Sequence, residues 1–496
     1  MKKLLLLCFV FPLTVLAQRD SLIQLRLKEL AIIKASWETI HPGLLRYNSQ
    51  KEIDVLFEMA KKKVQASLSD AAYFILLSQL ATKVKCGHTY LNPWNQNQEI
   101  ITTYFKNAYI PFLYRVIDGK FIITHNLSEH PSIKPGDEIT SINHIPVQTI
   151  IDSLLTVSRA DGNNGLLKKL DNLKIVPIDI DTSNYSLFDI YFPLFFEKSF
   201  QQNVFTFEIK SFQTKKKKQL TANSLTKIQR QKIYSSRFGE IKVHEKNWSY
   251  QLLRPDVACL RIGDFEVWEW KADYKRYLDS IFKLLANQKI PNLIIDIRGN
   301  EGGDDEARTE VLRHIAAKPF GCDNRIRRLY KFLNIPDSLL PYLKTWNAEF
   351  KKPKNKDEYV FENGYYEKID TLSNSCIPDE PFPNHYSGKV FLITDACNSS
   401  TTFRMADLFK SENMGLIVGE PTGGTKQGLN GGQYFFLRLP YSKMEIDLPL
   451  IYGAPFESRP DEAIAPDYYV PAKQSDIFYK RDTQVEFILN YIRKNH

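Results

Sequence analysis

Asn292-Leu-Ile-Ile-Asp-Ile-Arg-Gly-Asn-Glu-Gly-Gly303 is an apolar run that ends in a loop with paired glycines. The apolar residues from Leu293 to Ile297 are nearly continuous rather than alternating, which predicts a strand covered on both faces. Gly302 and Gly303 free the backbone to turn sharply and present bare N–H groups, the material of an oxyanion hole. A second stretch, Leu392-Ile-Thr-Asp-Ala-Cys-Asn-Ser-Ser-Thr-Thr402, has a similar design. Its strand, Lys389 to Thr394, breaks into small polar residues and resumes as an amphipathic helix carrying Phe403, Met405, Ala406, Leu408 and Phe409. Ser400 stands at that strand-to-helix junction, where unpaired N–H groups and the positive dipole end stabilise charge developing on a carbonyl oxygen. Gly419-Glu-Pro-Thr-Gly-Gly424 follows.

Working outward, Asp256 to Ile262 reads as a strand and Tyr274 to Ala286 as an amphipathic helix, so the catalytic part from about Trp248 is built of βαβ units around a largely parallel sheet. Between about Lys318 and His385 the periodicity is lost in a stretch rich in Pro, Asn, Lys and Tyr, too long for a simple loop and expected to be a lid or accessory subdomain. Met444 to Leu448 returns as a strand. Upstream, helical spacing from Arg19 to about Lys85 (Ile23, Leu27, Leu30, Ile33; Ile53, Leu56, Phe57, Met59, Ala60) predicts a small helical domain. Its last helix, Ala71 to Val84, delivers Cys86-Gly87-His88-Thr89 onto a loop. Ile100 to about Phe212 reads mainly as strands, followed by a polar connector. The expected divisions are 1–17 leader, 18–97 helical, 98–212 β-rich, 213–247 connector and 248–496 catalytic.

The ends and the composition bound the setting. Lys2 and Lys3, the apolar run Leu4 to Val15, and Val15-Leu16-Ala17 before Gln18 read as a secretory leader, too short to cross a bilayer, with Cys8 buried in the apolar run rather than placed as a lipid anchor. No later stretch approaches the roughly 20 apolar residues of a membrane span, so the mature chain is expected in an exported compartment, periplasmic or secreted. With 496 residues, 43% hydrophobic and 25% charged, the chain has material for several cores. A net charge of +9 is modest for this size. The densest basic run, Lys215-Lys-Lys-Lys218, has no aromatic residues interleaved and reads as a solvated turn, so no nucleic acid is implied. Beyond the leader remain Cys86, Cys259, Cys322, Cys376 and Cys397, an odd set without C-x-x-C or H-E-x-x-H spacing, and no metal or other cofactor is implied. Cys322 and Cys376 flank the 318–385 stretch and are either bridged or free.

Taken together these motifs resemble the tail-specific proteases, or C-terminal processing peptidases, a family of serine peptidases with tricorn-like members. Its Asp-x-Arg-x-Asn-x-Gly-Gly element is matched by Asp296, Arg298, Asn300, Gly302 and Gly303, and its Gly-Glu-Pro-Thr by Gly419 to Thr422; counting back from the latter places the nucleophile on Ser400. The resemblance implies an α/β multidomain protein with an N-terminal helical domain, a PDZ-like β-rich domain and a protease core of the ClpP/crotonase-like type. Ile133-Lys-Pro-Gly-Asp-Glu-Ile-Thr-Ser-Ile-Asn143, Pro146-Val147 and the helix Ile150 to Val157 resemble the second half of a PDZ domain, while no Gly-Leu-Gly-Phe-like carboxylate loop stands around Tyr109 to Phe112 and residues 160–203 look inserted.

A serine hydroxyl needs a base. Processing peptidases use a lysine after Gly-Glu-Pro-Thr; here Thr425 aligns and Lys426 is displaced by one. Tricorn-like relatives use a histidine from an upstream Asp-x-His-(Thr/Ser) motif, matched by His88-Thr89 with Cys86 in the aspartate's place. Histidine titrates near neutrality without desolvation, whereas lysine must be stripped of its charge. The orienting acid falls in Glu457-Ser-Arg-Pro-Asp-Glu-Ala-Ile-Ala-Pro-Asp467, with Glu457 nearest the relatives' spacing and Glu462 next. A plain helix cap is the alternative role for Ser400, and a buried thiol rather than a nucleophile is the reading for Cys397. The expectation is an exported serine endopeptidase acting on polypeptides through an acyl-enzyme: Ser400 attacks, His88 is the base, Glu457 orients it, and the N–H groups of Gly302 and Thr401 hold the oxyanion. The alternatives are a Ser-Lys dyad with Lys426 and a catalytically inactive peptide-binding scaffold of the same fold.

Overall fold

The computed structural model describes residues 10–322, 325–369 and 376–495, with only the backbone described over 10–19. The leader expected at 1–17 therefore lies outside the described residues up to residue 9, and 10–17 form the first turns of the helix Val10–Ile40. Among the described residues no helix is long and apolar enough to cross a membrane. The chain forms two compact units, one made of Met1–Phe105, Arg328–Leu372 and Asn430–Tyr452, the other of Lys106–Arg327, Ser373–Leu429 and Gly453–His496.

The larger unit holds the sheet that the opening stretch predicts. Its strands run in the order Tyr468–Tyr469, Leu416–Gly419, Lys389–Thr394, Asn292–Asp296, Val257–Ile262, Trp248–Arg254, with every pair parallel except the last. Leu392 sits opposite Ile295, and Ile393 opposite Asp296. The continuous apolar pattern is explained by two cores. Leu293, Ile295 and Leu392 face Leu278, Leu285, Val311, Phe403 and Met405 from the helices Tyr274–Asn287, Asp305–Arg313 and Ser400–Ser411, while Ile294, Phe391 and Ile393 face Ile488 and Ile492 of Thr483–Lys494.

The same unit carries an antiparallel sheet of Phe112–Ile117, Lys120–Asn126, Glu138–Ile142, Val204–Lys210 and Lys217–Asn223, with Ile145–Pro146 pairing the third strand. The Asn143-His144 turn takes left-handed φ values of 50° and 64°, and the helix expected after it spans Val147–Leu155. Two departures stand out. Residues 160–203, read as mainly extended, contain the helices Leu166–Asp171 and Leu187–Phe195, and the expected connector supplies the strand Lys217–Asn223 and the helix Lys227–Phe238. Of the Lys-rich run, Lys215 and Lys216 lie in the turn between the last two strands of this sheet, while Lys217 and Lys218 already belong to the last strand. Cys322 and Cys376 are joined in a disulfide.

In the smaller unit the helices Val10–Ile40, Gln50–Gln65, Asp70–Lys83 and Gln98–Tyr104 bury Trp37, Phe57, Tyr73 and Phe74. A capping box of Ser49 and Glu52 starts the second helix. The accompanying sheet runs Leu343–Lys344, Leu429–Arg438, Glu445–Pro455, Ile326–Tyr330, Tyr365–Lys368, Tyr359–Glu362. Much of the stretch expected as a lid therefore supplies strands to a sheet whose other strands come from a hundred residues later in the chain. Buried Glu29 ties helix to sheet, accepting from Tyr73 Oη at 3.0 Å and from the N–H groups of Tyr441 and Ser442 at 2.8 and 2.6 Å.

Candidate active site

Ser400 opens the helix Ser400–Ser411 with φ of +51°, a left-handed conformation that a residue with a Cβ adopts only when its surroundings impose it. Ser399 is the N-cap, yet its side chain makes no cap bond; its hydroxyl donates instead to Glu301 O at 3.2 Å. The N–H groups of Thr402 and Phe403 donate to Ser399 O at 3.0 and 3.2 Å. The Ser400 and Thr401 N–H groups come too early in the helix to have an acceptor within it.

Against this turn lies the glycine loop. Gly302 and Gly303 have φ of +125° and +133°, and a Cβ on Gly302 would fall 2.8 Å from Ser400 Cβ, 3.1 Å from Thr401 N and 3.2 Å from Ser399 O. Only a residue without a side chain fits there. The Gly302 N–H is not bare as the motif suggests: it donates to Asn300 Oδ1 at 2.8 Å, because Asn300 is fully buried and bonds around its own loop. Asn300 Oδ1 also accepts from Thr402 Oγ1 at 2.6 Å, and Thr401 Oγ1 donates to Gly303 O at 2.8 Å.

The two loops are stitched further by residues that the sequence left unassigned. Asn398, fully buried, donates from Nδ2 to Ile297 O at 2.6 Å and Asn300 O at 3.1 Å, while its carbonyl accepts from Gly423 N at 2.7 Å. Buried Asp395 accepts from Gly299 N and Cys397 N, each at 3.0 Å. The run of small polar residues between strand and helix was the available signal. Asp296 and Arg298 support the loop from below: two guanidinium bonds at 2.9 and 2.7 Å join them, and Arg298 continues to Asp482. Burial would raise the Asp296 carboxyl, but Arg298 and Arg261 outweigh it and bring the pKa down to about 2. Burial pushes the Cys397 thiol up, in keeping with an inert buried sulfur.

The loop with the candidate acids is fixed to the serine helix. Arg459 forks onto Asp407 with two bonds of 2.7 Å, and Thr425 Oγ1 donates to Asp461 Oδ1 at 2.8 Å. Glu457 is exposed on this loop, and Glu462 pairs with Lys426 at 3.3 Å. Ser400, Thr401 and Gly302 are thus brought together, and Lys426 and Glu462 face each other.

His88 belongs to the smaller unit, half-buried in the turn after the helix Asp70–Lys83. Its ring lies 6.0 Å from that of Tyr434, and its neighbours are pinned on both sides. Asn430 Nδ2 donates to Cys86 Sγ at 3.3 Å, and Thr89 Oγ1 is 2.7 Å from His41 Nε2. Since the Gly43 N–H donates to His41 Nδ1 at 2.9 Å, that nitrogen is unprotonated and Nε2–H is the donor to Thr89. Burial, with Arg46 adding to it, lowers the His41 pKa to about 3.

Residues 256–431 match the model of Peptidase family S41. No curated protein matches the chain. Among solved structures, mature CPAF complexed with lactacystin is 14% identical with a TM-score of 0.63, covering 95% of this chain and 98% of that one. Mature CPAF is likewise 14% identical, with a TM-score of 0.60 over 94% of this chain and 96% of the other. At that identity the likeness is one of fold.

Proposed function

We propose that the chain is a serine-type peptidase of family S41, whose model matches residues 256–431, and that it is an exported endopeptidase in which Ser400 attacks the scissile carbonyl, His88 takes and returns the proton, and Glu457 orients the imidazole. The Thr401 N–H at the helix N-terminus holds the oxyanion, joined by the Gly302 N–H once it exchanges Asn300 Oδ1 for the substrate oxygen. The carrying observation is the left-handed φ of +51° at Ser400, imposed where the glycine loop passes beneath it. Strain held at one hydroxyl beside uncapped helix N–H groups is what a presented nucleophile requires, and a plain cap residue has no use for it. Lys426 is less suited to the base's role, since its ammonium is already engaged by the Glu462 carboxylate. A tagged fluorophosphonate tests the reading. Ser400→Ala is expected to abolish labelling and Ser399→Ala to retain it; label that persists in the first variant and vanishes in the second moves the nucleophile.

A further inference from the structure

The segment Arg159–Lys168, at the front of the stretch that looks inserted, reaches the glycine loop, the turn before Ser400, the Gly423 loop and the loop with the candidate acids. Arg159 Nη2 lies 3.5 Å from Glu301 Oε2. Asn163 N–H and Asn164 Nδ2 donate to Asp461 Oδ2 and Asp461 O at 2.8 and 2.5 Å. Lys168 then turns inward. Only 5% exposed, it places Nζ 2.5 Å from Glu301 Oε1 and 3.0 Å from Cys397 O, and a Cβ on Gly423 would fall 3.0 Å from its Cδ.

We infer that Lys168 is a positioning residue, a clamp that sets the glycine loop and the Ser400 turn in register by holding Glu301 and the Cys397 carbonyl with one ammonium. The spacing makes the case. Glu301 immediately precedes Gly302, Cys397 stands three residues before Ser400, and Gly423 closes the third loop against the lysine stem. A buried ammonium is tolerated only where its donors are matched, and here both acceptors belong to the loops that must be aligned. Burial works against the charge of Lys168, while the carboxylates of Glu301 and Asp171 hold its pKa above the ordinary lysine value; it stays charged and takes no proton from Ser400. Aligning the reacting groups matters because a displacement of about 1 Å costs on the order of 100-fold in rate.

The inference rests on Ser400 being the nucleophile, and one series separates the two. Rates of fluorophosphonate labelling are measured for wild type, Lys168→Met, Glu301→Gln and the double variant, with the labelled residue mapped and folding checked by thermal melting. Expected are wild-type label on Ser400, a loss of about 100-fold in Lys168→Met, a smaller loss in Glu301→Gln, and a double variant no slower than Lys168→Met, since the two act through one contact. If Lys168→Met fails to fold, the slower labelling of folded Glu301→Gln carries the test. Wild-type rates in folded Lys168→Met or Glu301→Gln, or additive losses in the double variant, overturn the clamp and leave the nucleophile standing. An unlabelled wild type removes the nucleophile and the clamp with it.

Discussion

Gly302 runs directly beneath Ser400, so close that any side chain on the glycine would occupy the space of the serine's own Cβ, 2.8 Å away. Replacement by alanine meets two obstacles at once, that contact and a φ of +125° that residues with a Cβ avoid. Gly302→Ala is expected to lose about 1–3 kcal/mol of stability through backbone strain and to label with fluorophosphonate roughly 100-fold more slowly. Melting curves and labelling rates check both.

Ser400 itself is placed where glycine is more comfortable. Ser400→Gly and Ser400→Ala are both expected to be inactive, but the glycine variant should be the more stable by about 1 kcal/mol, the cost of a left-handed conformation for a residue with a Cβ. Denaturant titration of the two proteins measures the difference. Equal stabilities count against strain at this position.

Removal of the base separates the two activation schemes. His88→Ala is expected to reduce turnover on the order of 10³-fold or more, while Lys426→Ala retains activity. A histidine base gives a rate that rises through roughly pH 6 to 7. Glu457→Gln then slows turnover and moves the rise to lower pH, since a carboxylate beside an imidazole favours its charged form. Glu462→Gln, whose partner is Lys426, should leave the profile in place.

His41 makes stability pH-dependent. Its folded pKa of about 3 lies below the ordinary 6.5, so between these values the unfolded chain binds a proton that the folded chain refuses. The stability it contributes is complete above about pH 6.5 and is lost as pH falls toward 3. Protonation would set a second N–H against that of Gly43 and disturb the bond to Thr89, next to His88. Melts from pH 7.5 to 4.5 are expected to fall more steeply for wild type than for His41→Gln.

What could be read from the sequence follows from how locally each element is determined. The strands Asn292–Asp296 and Lys389–Thr394 were legible because both faces are buried and the apolar run is unbroken. The helix Leu187–Phe195 was not: its Phe- and Tyr-rich composition favours strands, and burial of Phe188, Tyr191 and Phe192 with a cap from Ser186 overrides that preference. Tyr359–Glu362 is short and mostly exposed, at the edge of its sheet, so no alternation betrays it. Lys168 sits in Leu-Leu-Lys-Lys-Leu, where nothing local sets it apart from the lysine beside it; its burial depends on Glu301 and Cys397, far off in the chain. The donor at Gly302 was legible as a bare backbone, but its capture by Asn300 was not, because a loop asparagine has many local partners to choose from.

The smaller unit is assembled from three separated stretches, the last of them Asn430–Tyr452. A chain emerging from its N-terminus exposes the turn with Ser400 before the strand Leu429–Arg438 exists to set Asn430 against Cys86 and Tyr434 beside His88. The surroundings of the histidine close only after nearly the whole polypeptide has been released, so a nascent or truncated chain ending before Asn430 carries its serine without a finished setting for His88.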